Sequence, residues 1–409
     1  MPSSPSQHLM PTYARAPVSF QKGAGATLWD SDGVEYLDAI AGVAVTNLGH
    51  SHPAITEAIC AQAGELLHTS NMFGIAWQQK LADKLCRQSG MENAFFCNSG
   101  AEANETALKL SRLHAQHRGI AQPQVLVMEN SFHGRTFATL AATGNPAVHR
   151  GFEPLFPGFV RVPYNDIAAA QAAAKDHPNL VAVLVEPVQG EGGVRRASTE
   201  YFQALRALAT ENHWLLMVDE VQTGMGRTGE WFGYQHAGIQ PDVITLAKGL
   251  GNGVPIGACL ARGQAAELFA PGNHGSTFGG NPLACRVACT VVDVMLAQGI
   301  PARAAHLGRL LLQGLQQALA QQPQVVDVRG HGLMVGIEMD APCTHLVARA
   351  LQKERLLITV TRERTIRLLP PLICSEDEIA EIVRRVARLL KTDALEREVA
   401  DSNKACAAR

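Results

Sequence analysis

The sequence predicts an α/β protein in which helices cover a mostly parallel sheet and a second, smaller domain follows. The first observation is a series of short, almost entirely apolar segments, which is typical of strands buried on both faces of a parallel sheet. The second is that segments with helical periodicity lie between them, which favours strand–helix alternation. The third is the length of 409 residues, which corresponds to two or three domains at roughly 150 residues each.

The predicted elements follow one another in that order along the chain. The strands are predicted at 94–97, 124–128, 180–185, 214–218 and 242–246, with helices between them at 102–117, 167–175 and 199–211. After about residue 300 the pattern changes, because 302–322 is helical and rich in Leu, Ala and Gln. Ser375 and Glu378 then form an S-x-x-E capping box ahead of a final amphipathic helix.

Composition and charge exclude several classes of protein. Apolar residues make up 46% and charged residues 18%, which is an ordinary globular balance and argues against general disorder. The 35 basic and 37 acidic residues give a formal net charge of -2, without the clustered basic excess of a nucleic-acid-binding protein. The 15 histidines form no HExxH motif, so we expect no metal site. No apolar run approaches the ~20 residues that a membrane-spanning helix needs.

The cysteines and the N-terminal segment indicate the compartment. The nine cysteines are odd in number and form no CxxC motif, which favours reduced, mostly buried thiols in a cytosolic protein. Residues 1–20 are rich in Pro and Ser and lack a basic region followed by an apolar stretch. We therefore expect an irregular N-terminal arm rather than a secretory signal, and a cytoplasmic protein.

A single lysine is a candidate nucleophile. Lys248 follows the apolar segment 242–246 and precedes a glycine-rich turn. Partial burial disfavours the ammonium form, so the pKa of such a lysine falls below about 10.4 and the amine becomes reactive. For this segment alone, a solvated lysine at a strand end is the commoner interpretation.

An aspartate follows the preceding predicted strand. Asp219 comes directly after 214–218, and ligands in open α/β sheets bind at the carboxyl ends of strands. A carboxylate there could pair with a protonated ring nitrogen, as pyridoxal phosphate requires. The alternative is an aspartate that only caps the next helix.

The segment Asn98-Ser-Gly-Ala-Glu-Ala-Asn104 is a candidate phosphate site. It joins a predicted strand to a predicted helix, and Gly100 allows close approach of a ligand to the backbone. The first amides of a helix are unpaired and favour anions. A capping turn without a ligand would look similar. The chain has neither a Walker sequence nor a convincing GxGxxG, so a nucleotide fits poorly.

These segments occur together with further motifs, and the chain resembles the class III, fold-type-I aminotransferases that use pyridoxal phosphate. The resemblance covers about residues 25–389. The matching motifs are NSGAEAN at 98–104, FHGR at 132–135, VEPVQGEGG at 185–193, DEVQ at 219–222, AKG at 247–249 and GSTFGG at 275–280. It implies an arm at 1–20, a large cofactor domain at 61–300, and a small α+β domain formed by 21–60 and 301–409.

The resemblance implies pyridoxal 5′-phosphate as the cofactor and assigns its ligands. Lys248 would bond covalently to it and also serve as acid and base, while Asp219 would hold the ring nitrogen protonated. Gln222 would reach the phenolic oxygen and Phe132 would stack on the ring. Thr277 would bind the cofactor phosphate of a neighbouring subunit, which implies a homodimer with shared sites. The full implied cofactor set is Ser99, Gly100, Ala101, Phe132, Asp219, Glu220, Val221, Gln222, Lys248 and Thr277.

The implied substrates are anionic. Arg135 and Arg367 match carboxylate-binding positions, which suits the bidentate geometry of arginine. Glu191 matches a glutamate that would mask Arg367 until the second carboxylate of 2-oxoglutarate competes for it. Ser276 belongs to the same implied substrate set. Val43 stands where ornithine aminotransferases carry a tyrosine, and an apolar residue there favours an acylated donor nitrogen.

The implied reaction transfers the δ-amino group of N-acetylornithine to 2-oxoglutarate, giving N-acetylglutamate 5-semialdehyde and glutamate, a step of arginine biosynthesis. Succinyldiaminopimelate is a further candidate donor. The alternatives are an ω-aminotransferase acting on succinylornithine, ornithine or 4-aminobutyrate, and an isomerase or racemase of the same fold. A cofactor-binding protein without catalysis is a third alternative, which the presence of Lys248, Asp219 and Arg135 disfavours.

Overall fold

The computed structural model describes residues 8–407, and their side chains as far as residue 396. Residues 1–7, which belong to the predicted arm, lie outside the described residues, and 8–19 contain no helix or strand. In the described chain the strands are β1 (Phe20–Ala24), β2 (Thr27–Asp30), β3 (Glu35–Asp38), β4 (Asn93–Cys97), β5 (Gln124–Met128), β6 (Phe159–Val162), β7 (Leu180–Val185), β8 (Val188–Gln189), β9 (Arg195–Arg196), β10 (Leu215–Asp219), β11 (Val243–Leu246), β12 (Gly257–Ala261), β13 (Val325–His331), β14 (Met334–Met339), β15 (Leu356–Leu357), β16 (Thr359–Thr361) and β17 (Thr365–Leu368).

The helices lie between these strands and at the C-terminal end of the chain. They are α1 (Ala41–Ala44), α2 (Pro53–Glu65), α3 (Ala76–Ser89), α4 (Gly100–His117), α5 (Phe137–Ala142), α6 (Ile167–Asp176), α7 (Thr199–Glu211), α8 (Pro282–Ala297), α9 (Ile300–Leu319), α10 (His345–Arg349) and α11 (Glu376–Ala407). α1 is a single turn with left-handed backbone at Gly42 and Val43 rather than a regular helix.

A seven-stranded sheet forms the centre of the molecule and confirms the predicted fold class. Its strand order is β4-β12-β11-β10-β7-β5-β6. β10 pairs in parallel with β11 and β7, and β5 pairs in parallel with β7 and β6. β12 runs antiparallel to both of its neighbours, β11 and β4. Six strands therefore point the same way, and their carboxyl ends meet at one edge.

The apolar segments predicted as strands form the interior of this sheet. All six residues of β7 are buried, because β5 and β10 flank it and helices cover both faces. The predicted strands agree with the structure to within one residue at each end. Two strands of this central sheet were not predicted, β6 and β12. The β12 sequence Gly-Ala-Cys-Leu-Ala is rich in small residues with weak strand preference, so only its burial between β11 and β4 explains it.

Two smaller sheets join the ends of the chain. β1, β2 and β3 form one sheet with β15, whose Leu356 pairs in parallel with Leu37 of β3. The other sheet is antiparallel, in the order β13-β14-β17-β16. An N-terminal and a C-terminal segment thus share a sheet outside the central one. The domain boundaries near residues 60 and 300 stay a prediction.

The capping box predicted for the last helix is present. The Ser375 amide donates to the Glu378 carboxylate at 2.8 Å, and the Glu378 amide donates to the Ser375 hydroxyl at 3.1 Å. Both bonds satisfy amides that the first helical turn would leave unpaired. The helix α11 then packs against α9 through buried residues such as Ile382 and Val386.

The described residues also bear on membranes and thiols. No single helix there is long and apolar enough to cross a membrane, and one pair, α8 with α9, reaches that length and composition only across a bend of 67°. The eight cysteines within residues 8–396 form no disulfide, and six of them are buried.

Candidate active site

The carboxyl ends of the central strands enclose a cavity of about 240 Å³. Asp219 is the last residue of β10, and Lys248 follows β11 by two residues. Because β10 and β11 are parallel neighbours, with Asp219 opposite Thr245, the carboxylate and the amine reach the same cavity. The lining residues are Gly100, Ala101, Asn104, Phe132, His133, Gly134, Arg135, Glu186, Val188, Glu191, Asp219, Val221, Gln222, Thr223 and Lys248.

Hydrogen bonds hold the buried Asp219 carboxylate in one orientation. Its Oδ2 accepts from Nδ2 of Asn104 at 2.7 Å and lies 2.8 Å from Nδ1 of His133. Its Oδ1 accepts from the Val221 amide at 3.0 Å. A carboxylate has no proton to give, so the His133 Nδ1 carries one and donates it. The cavity thus has a fixed anionic group in its wall.

The amine of Lys248 lies in the same wall and has a lowered pKa. Burial is the main cause, and the nearby Arg367 guanidinium adds to it, while Glu191, Asp219 and Glu186 act in the opposite direction. Within residues 8–396 no hydrogen bond or ion pair engages its side chain. Lys248 also has a φ of 46°, in the left-handed region that non-glycine residues rarely adopt. A strained residue with an unpaired, weakly basic amine is suited to nucleophilic chemistry.

The N-terminus of α4 forms another part of the wall. Ser99 caps this 18-residue helix by accepting from the Glu102 amide at 3.2 Å. Gly100 and Ala101 follow and line the cavity with their backbone. A Cβ on Gly100 would lie 2.7 Å from Val221, so the close packing of helix on strand end requires glycine. The first amides of this helix favour an anion, as the sequence predicts.

An aromatic ring and an arginine lie beside this helix terminus. Phe132 lines the cavity, and the Arg135 guanidinium carbon lies 5.6 Å from its ring centroid. The Phe132 amide donates to the Glu186 carboxylate at 3.2 Å. Burial and the Asp219 carboxylate raise the pKa of Glu186 well above its ordinary value. Arg135 is exposed at the cavity, where a carboxylate of a ligand could reach it.

Two polar atoms of the wall lack partners. Oε1 of Gln222 and Nε2 of His133 are buried and have no hydrogen-bond partner. Buried polar atoms are costly when unpaired, so a ligand with polar groups at these points would stabilise the site.

Glu220, which the sequence assigns to the cofactor set, is not in the cavity wall. Its carboxylate accepts from the Tyr234 amide at 2.8 Å and from the Thr223 hydroxyl at 2.5 Å. Its two neighbours Asp219 and Val221 line the cavity, whereas the Glu220 carboxylate is held by these contacts away from it. Whether Glu220 contributes to cofactor binding stays a prediction.

Glu191 and Arg367 form an ion pair at the edge of the cavity. Nη1 of Arg367 lies 2.6 Å from Oε1 of Glu191, and Nε of Arg367 donates to the Thr359 hydroxyl at 3.2 Å. Only 4% of the arginine side chain is exposed, against 39% of the glutamate side chain. The loop that bears Glu191 is held by Arg329, whose Nε donates to the Gly193 carbonyl at 3.0 Å.

Six of the predicted site residues are outside the wall of the cavity, namely Glu220, Arg367, Ser276, Thr277, Val43 and Ser99. The Ser276 hydroxyl accepts from Asn98 at 3.3 Å, which places it next to the start of α4. Thr277 is exposed on the surface of its own chain. Val43 has a φ of 68° and packs in a small apolar cluster that includes the lining residue Val188. Ser99 is also outside the wall, with its hydroxyl engaged as the cap of α4.

The structure adds lining residues that the sequence analysis did not select. They are Asn104, His133, Gly134, Glu186, Val188 and Thr223. Five of them lie inside the recognised motifs 98–104, 132–135 and 185–193, so their place in a motif was the signal that could have identified them. Among the described residues there is no group of three or more His, Cys, Asp or Glu that could hold a metal ion.

Comparisons with known proteins agree with this geometry. A family model described as aminotransferase class-III matches residues 10–390. Acetylornithine aminotransferase of Nitrosomonas europaea is 52% identical over 383 residues, which cover 94% of this chain and 97% of the relative. The acetylornithine aminotransferase 1 of Bordetella parapertussis is 51% identical and covers 94% of this chain and 98% of the relative.

Solved structures of the same kind share the fold. The ornithine aminotransferase of Toxoplasma gondii ME49 has a TM-score of 0.91 at 35% identity, with 96% of this chain and 94% of that chain covered. The acetylornithine aminotransferase of Elizabethkingia anophelis has a TM-score of 0.84 at 34% identity, covering 94% and 96%. Since the family model and these relatives span nearly the whole chain, the protein belongs to the class III aminotransferase family.

Proposed function

We propose that the protein transfers the δ-amino group of N-acetylornithine to 2-oxoglutarate with pyridoxal 5′-phosphate as cofactor. The observation that carries this proposal is the placement of the unpaired Lys248 amine and the hydrogen-bonded Asp219 carboxylate in one cavity beside the start of α4. The donor follows the names of relatives that are 51–52% identical over 94% of the chain, which are acetylornithine aminotransferases.

The residues present fit the chemistry of pyridoxal phosphate. The amides of Gly100 and Ala101 at the helix N-terminus suit its phosphate, and the Phe132 ring suits the face of a flat heterocycle. The anionic Asp219 suits a protonated ring nitrogen, and the unpaired amide oxygen atom of Gln222 marks a place for a further polar group. An Asn or Gln amide can turn over to present its NH₂ group to an oxygen of the ring. When bound, the cofactor supplies an electron sink for the substrate carbon.

The residues of the chain then divide the work of the reaction. Lys248 would hold the cofactor through its amine. With its lowered pKa, the same amine would take the proton from the substrate carbon that bears the transferred nitrogen and later return one. Asp219 keeps its charge directed at the ring through its bonds to Asn104 and His133. Asp219 ends β10 and Lys248 follows the neighbouring strand β11 by two residues, so the parallel pairing of these strands sets their relative position.

The two arginines distinguish the two substrates. Arg135, at the cavity, binds a carboxylate that donor and acceptor both possess. Arg367 is neutralised by Glu191 while the donor reacts, because the donor has no second carboxylate. 2-Oxoglutarate brings one, and its carboxylate takes the place of Glu191, which is exposed enough to swing away. Ser276, next to Asn98, completes the substrate set near the helix terminus.

Val43 supports an acylated donor. Its side chain packs with Ala44 and Val188 in an apolar cluster at the cavity edge. An acetyl group on the donor nitrogen removes the charge of a free amine, and an apolar surface accepts the uncharged group more readily. A free amino group would lose solvent there without a partner.

The functional unit is a homodimer with Thr277 at the interface. An exposed apolar patch, formed by Leu66, Leu67, Met72, Phe73 and Phe278, adjoins Thr277. Asn71 ties the two halves of this patch together by donating to the carbonyls of Ser276 and Gly279 at 2.9 and 3.0 Å. Exposed apolar patches of this kind mark association surfaces. A second copy seated there would bring Thr277 toward the partner's cofactor phosphate.

We further propose a cytoplasmic location. The cysteines within residues 8–396 form no disulfide, which fits a reducing compartment.

A donor panel tests the proposal. The purified protein, reconstituted with pyridoxal phosphate, is assayed for glutamate with 2-oxoglutarate as acceptor and N-acetylornithine, succinylornithine, ornithine, succinyldiaminopimelate or 4-aminobutyrate as donor. The highest kcat/KM is expected for N-acetylornithine. Equal or better turnover of ornithine would refute the donor assignment, and turnover without any acceptor would indicate an isomerase.

A further inference from the structure

A chain of hydrogen bonds connects the start of α4 with the Asp219 carboxylate. Asn104 lies one helical turn after Gly100, the first residue of α4 and part of the proposed phosphate site, and is buried. Its Nδ2 donates both to Oδ2 of Asp219 at 2.7 Å and to the His133 carbonyl at 2.8 Å. The same rigid helix therefore presents amides to one end of the cavity and fixes the carboxylate at another.

Thr245 determines which way the Asn104 amide points. Its hydroxyl donates to Oδ1 of Asn104 at 2.7 Å, and the residue is fully buried in β11. Both partners of the Asn104 NH₂ group are acceptors only, so its Nδ2 must face them and its Oδ1 must face Thr245. The hydrogen bonds consequently run in one direction, from Thr245 to Asn104 to Asp219. The parallel register makes this possible, because Thr245 lies directly opposite Asp219.

The number of hydrogen-bond donors at each oxygen of the Asp219 carboxylate shows which lone pair remains available to a ligand. Oδ2 of Asp219 receives two donors, from Asn104 and His133, whereas Oδ1 receives only the Val221 amide. A carboxylate oxygen has two lone-pair sites, so Oδ2 is saturated and Oδ1 keeps one site. Rotation of the carboxylate would break the bond from Asn104, so the free site keeps its direction.

We propose that Asn104 and Thr245 are positioning residues that orient the Asp219 carboxylate with Oδ1 toward the ring nitrogen of the cofactor. Thr245 does not line the cavity, so it acts through Asn104 rather than on a ligand. This inference rests on the proposed function, since it concerns how the cofactor ring is held. It also explains why a helix that begins at the phosphate site carries a buried amide one turn later.

The test replaces the Thr245 hydroxyl by a methyl group of similar size. In Thr245→Val the affinity of the apoenzyme for pyridoxal phosphate should fall about tenfold, as for one lost buried hydrogen bond. The kcat with N-acetylornithine and 2-oxoglutarate should fall by a similar factor, with both KM values changed by less than about twofold. The midpoint of the pH-dependent visible absorbance of the bound cofactor should move to higher pH. Thr245→Ser, which keeps the hydroxyl, should behave as the parent protein.

A matched control separates positioning from plain stability. Thr106 is also fully buried and lies on α4. Its hydroxyl donates to the Glu102 carbonyl at 2.8 Å and lies 3.0 Å from Nε2 of His274, with no hydrogen bond to Asp219. Thr106→Val should lower the Tm without changing cofactor affinity or the absorbance midpoint. Asn104→Ala, an alternative if Thr245→Val does not fold, should show the Thr245→Val pattern with a larger loss.

The outcomes separate the two proposals. If Thr245→Val and Asn104→Ala match the parent in cofactor affinity, kcat and absorbance midpoint, the positioning role is refuted even if their Tm values fall. If the parent protein itself fails to bind pyridoxal phosphate, the proposed function fails instead.

Discussion

The centre formed by Asp219 and Lys248 and the ion pair formed by Glu191 and Arg367 border the same cavity but are built differently. Asp219 is 4% exposed, and its hydrogen-bond partners come from helix α4, the loop after β5 and the turn after β10. Glu191 lies on a loop with 39% of its side chain exposed, and its partner belongs to β17 of a different sheet. Asp219 and Lys248 are held by the packing at the edge of the central sheet. In the ion pair, the Glu191 carboxylate can be replaced at Arg367 by another carboxylate.

This difference matches two kinds of task. Proton transfer and charge stabilisation gain most from groups held rigidly before the reaction. Acceptance of two unlike substrates in turn requires a charge that can be covered and uncovered. Because Arg367 is buried, water screens its attraction for a carboxylate only weakly. Because Glu191 is partly exposed, its carboxylate can leave Arg367 and be replaced by a carboxylate of the substrate.

The largest expected effect is at the rigid centre. Lys248→Ala removes the amine that, in the proposed mechanism, bonds to the cofactor and moves the proton, so kcat should fall by at least about 10³-fold. Steady-state assay of glutamate formation measures the loss, and the visible absorbance of the protein with bound cofactor should change with it. Normal rates in this variant would end the assignment of Lys248.

Two adjacent carboxyl groups offer a sharper comparison. Asp219→Asn should lower kcat by about 10²–10³-fold, because an uncharged amide no longer balances the ring nitrogen. Glu220→Gln, one residue further and facing away from the cavity, should leave kcat within about threefold of the parent. Kinetics of the two variants under one set of conditions measure this. Equal losses of kcat in the two variants would show that the orientation of the side chain toward or away from the cavity does not determine the loss.

The pH dependence of stability provides an independent measurement at Glu220. Burial raises its pKa from 4.5 to about 7. Below pH 4.5 both folded and unfolded states are protonated, and between pH 4.5 and 7 only the unfolded state loses the proton, so the folded state loses stability as pH rises. The loss is about 3 kcal/mol by pH 8. Thermal unfolding of the parent and of Glu220→Gln should show that the stability of the variant relative to the parent is greater at pH 8 than at pH 5. The same stability difference at both pH values would contradict this prediction.

At the adjustable ion pair we expect a smaller, selective change. Glu191→Gln leaves Arg367 uncovered during the donor half-reaction, so kcat/KM for N-acetylornithine should fall about tenfold while that for 2-oxoglutarate changes little. Single-turnover measurements of the two half-reactions separate the effects. If both half-reactions keep the parent rates, Glu191 has no switching role.

The smallest expected effect is at Val43. Val43→Tyr places a hydroxyl in the apolar cluster and should raise the ratio of ornithine to N-acetylornithine kcat/KM by about three- to tenfold. Parallel assays of the two donors give this ratio, with Val43→Phe as the control that adds the ring without the hydroxyl. A ratio equal in both variants would mean that the hydroxyl does not contribute.

The sequence by itself determined the layered fold and the strand-end position of Lys248 and Asp219. Apolar runs such as Leu180–Val185 can be satisfied only by burial on both faces, and a polar residue just after such a run must lie at the edge of the sheet. The capping box at Ser375 and Glu378 was likewise readable, because both of its bonds are local.

Tertiary structure alone decided which strands are neighbours and which side chains meet. The Thr245–Asn104–Asp219 chain joins residues more than a hundred positions apart, and it depends on the register of β10 against β11. β12 is a strand only because β4 and β11 flank it. The Glu220 carboxylate contacts the Tyr234 amide and the Thr223 hydroxyl rather than the cavity, and a sequence motif does not reveal that direction. Local patterns specify elements, whereas contacts between distant residues arise only when those elements pack.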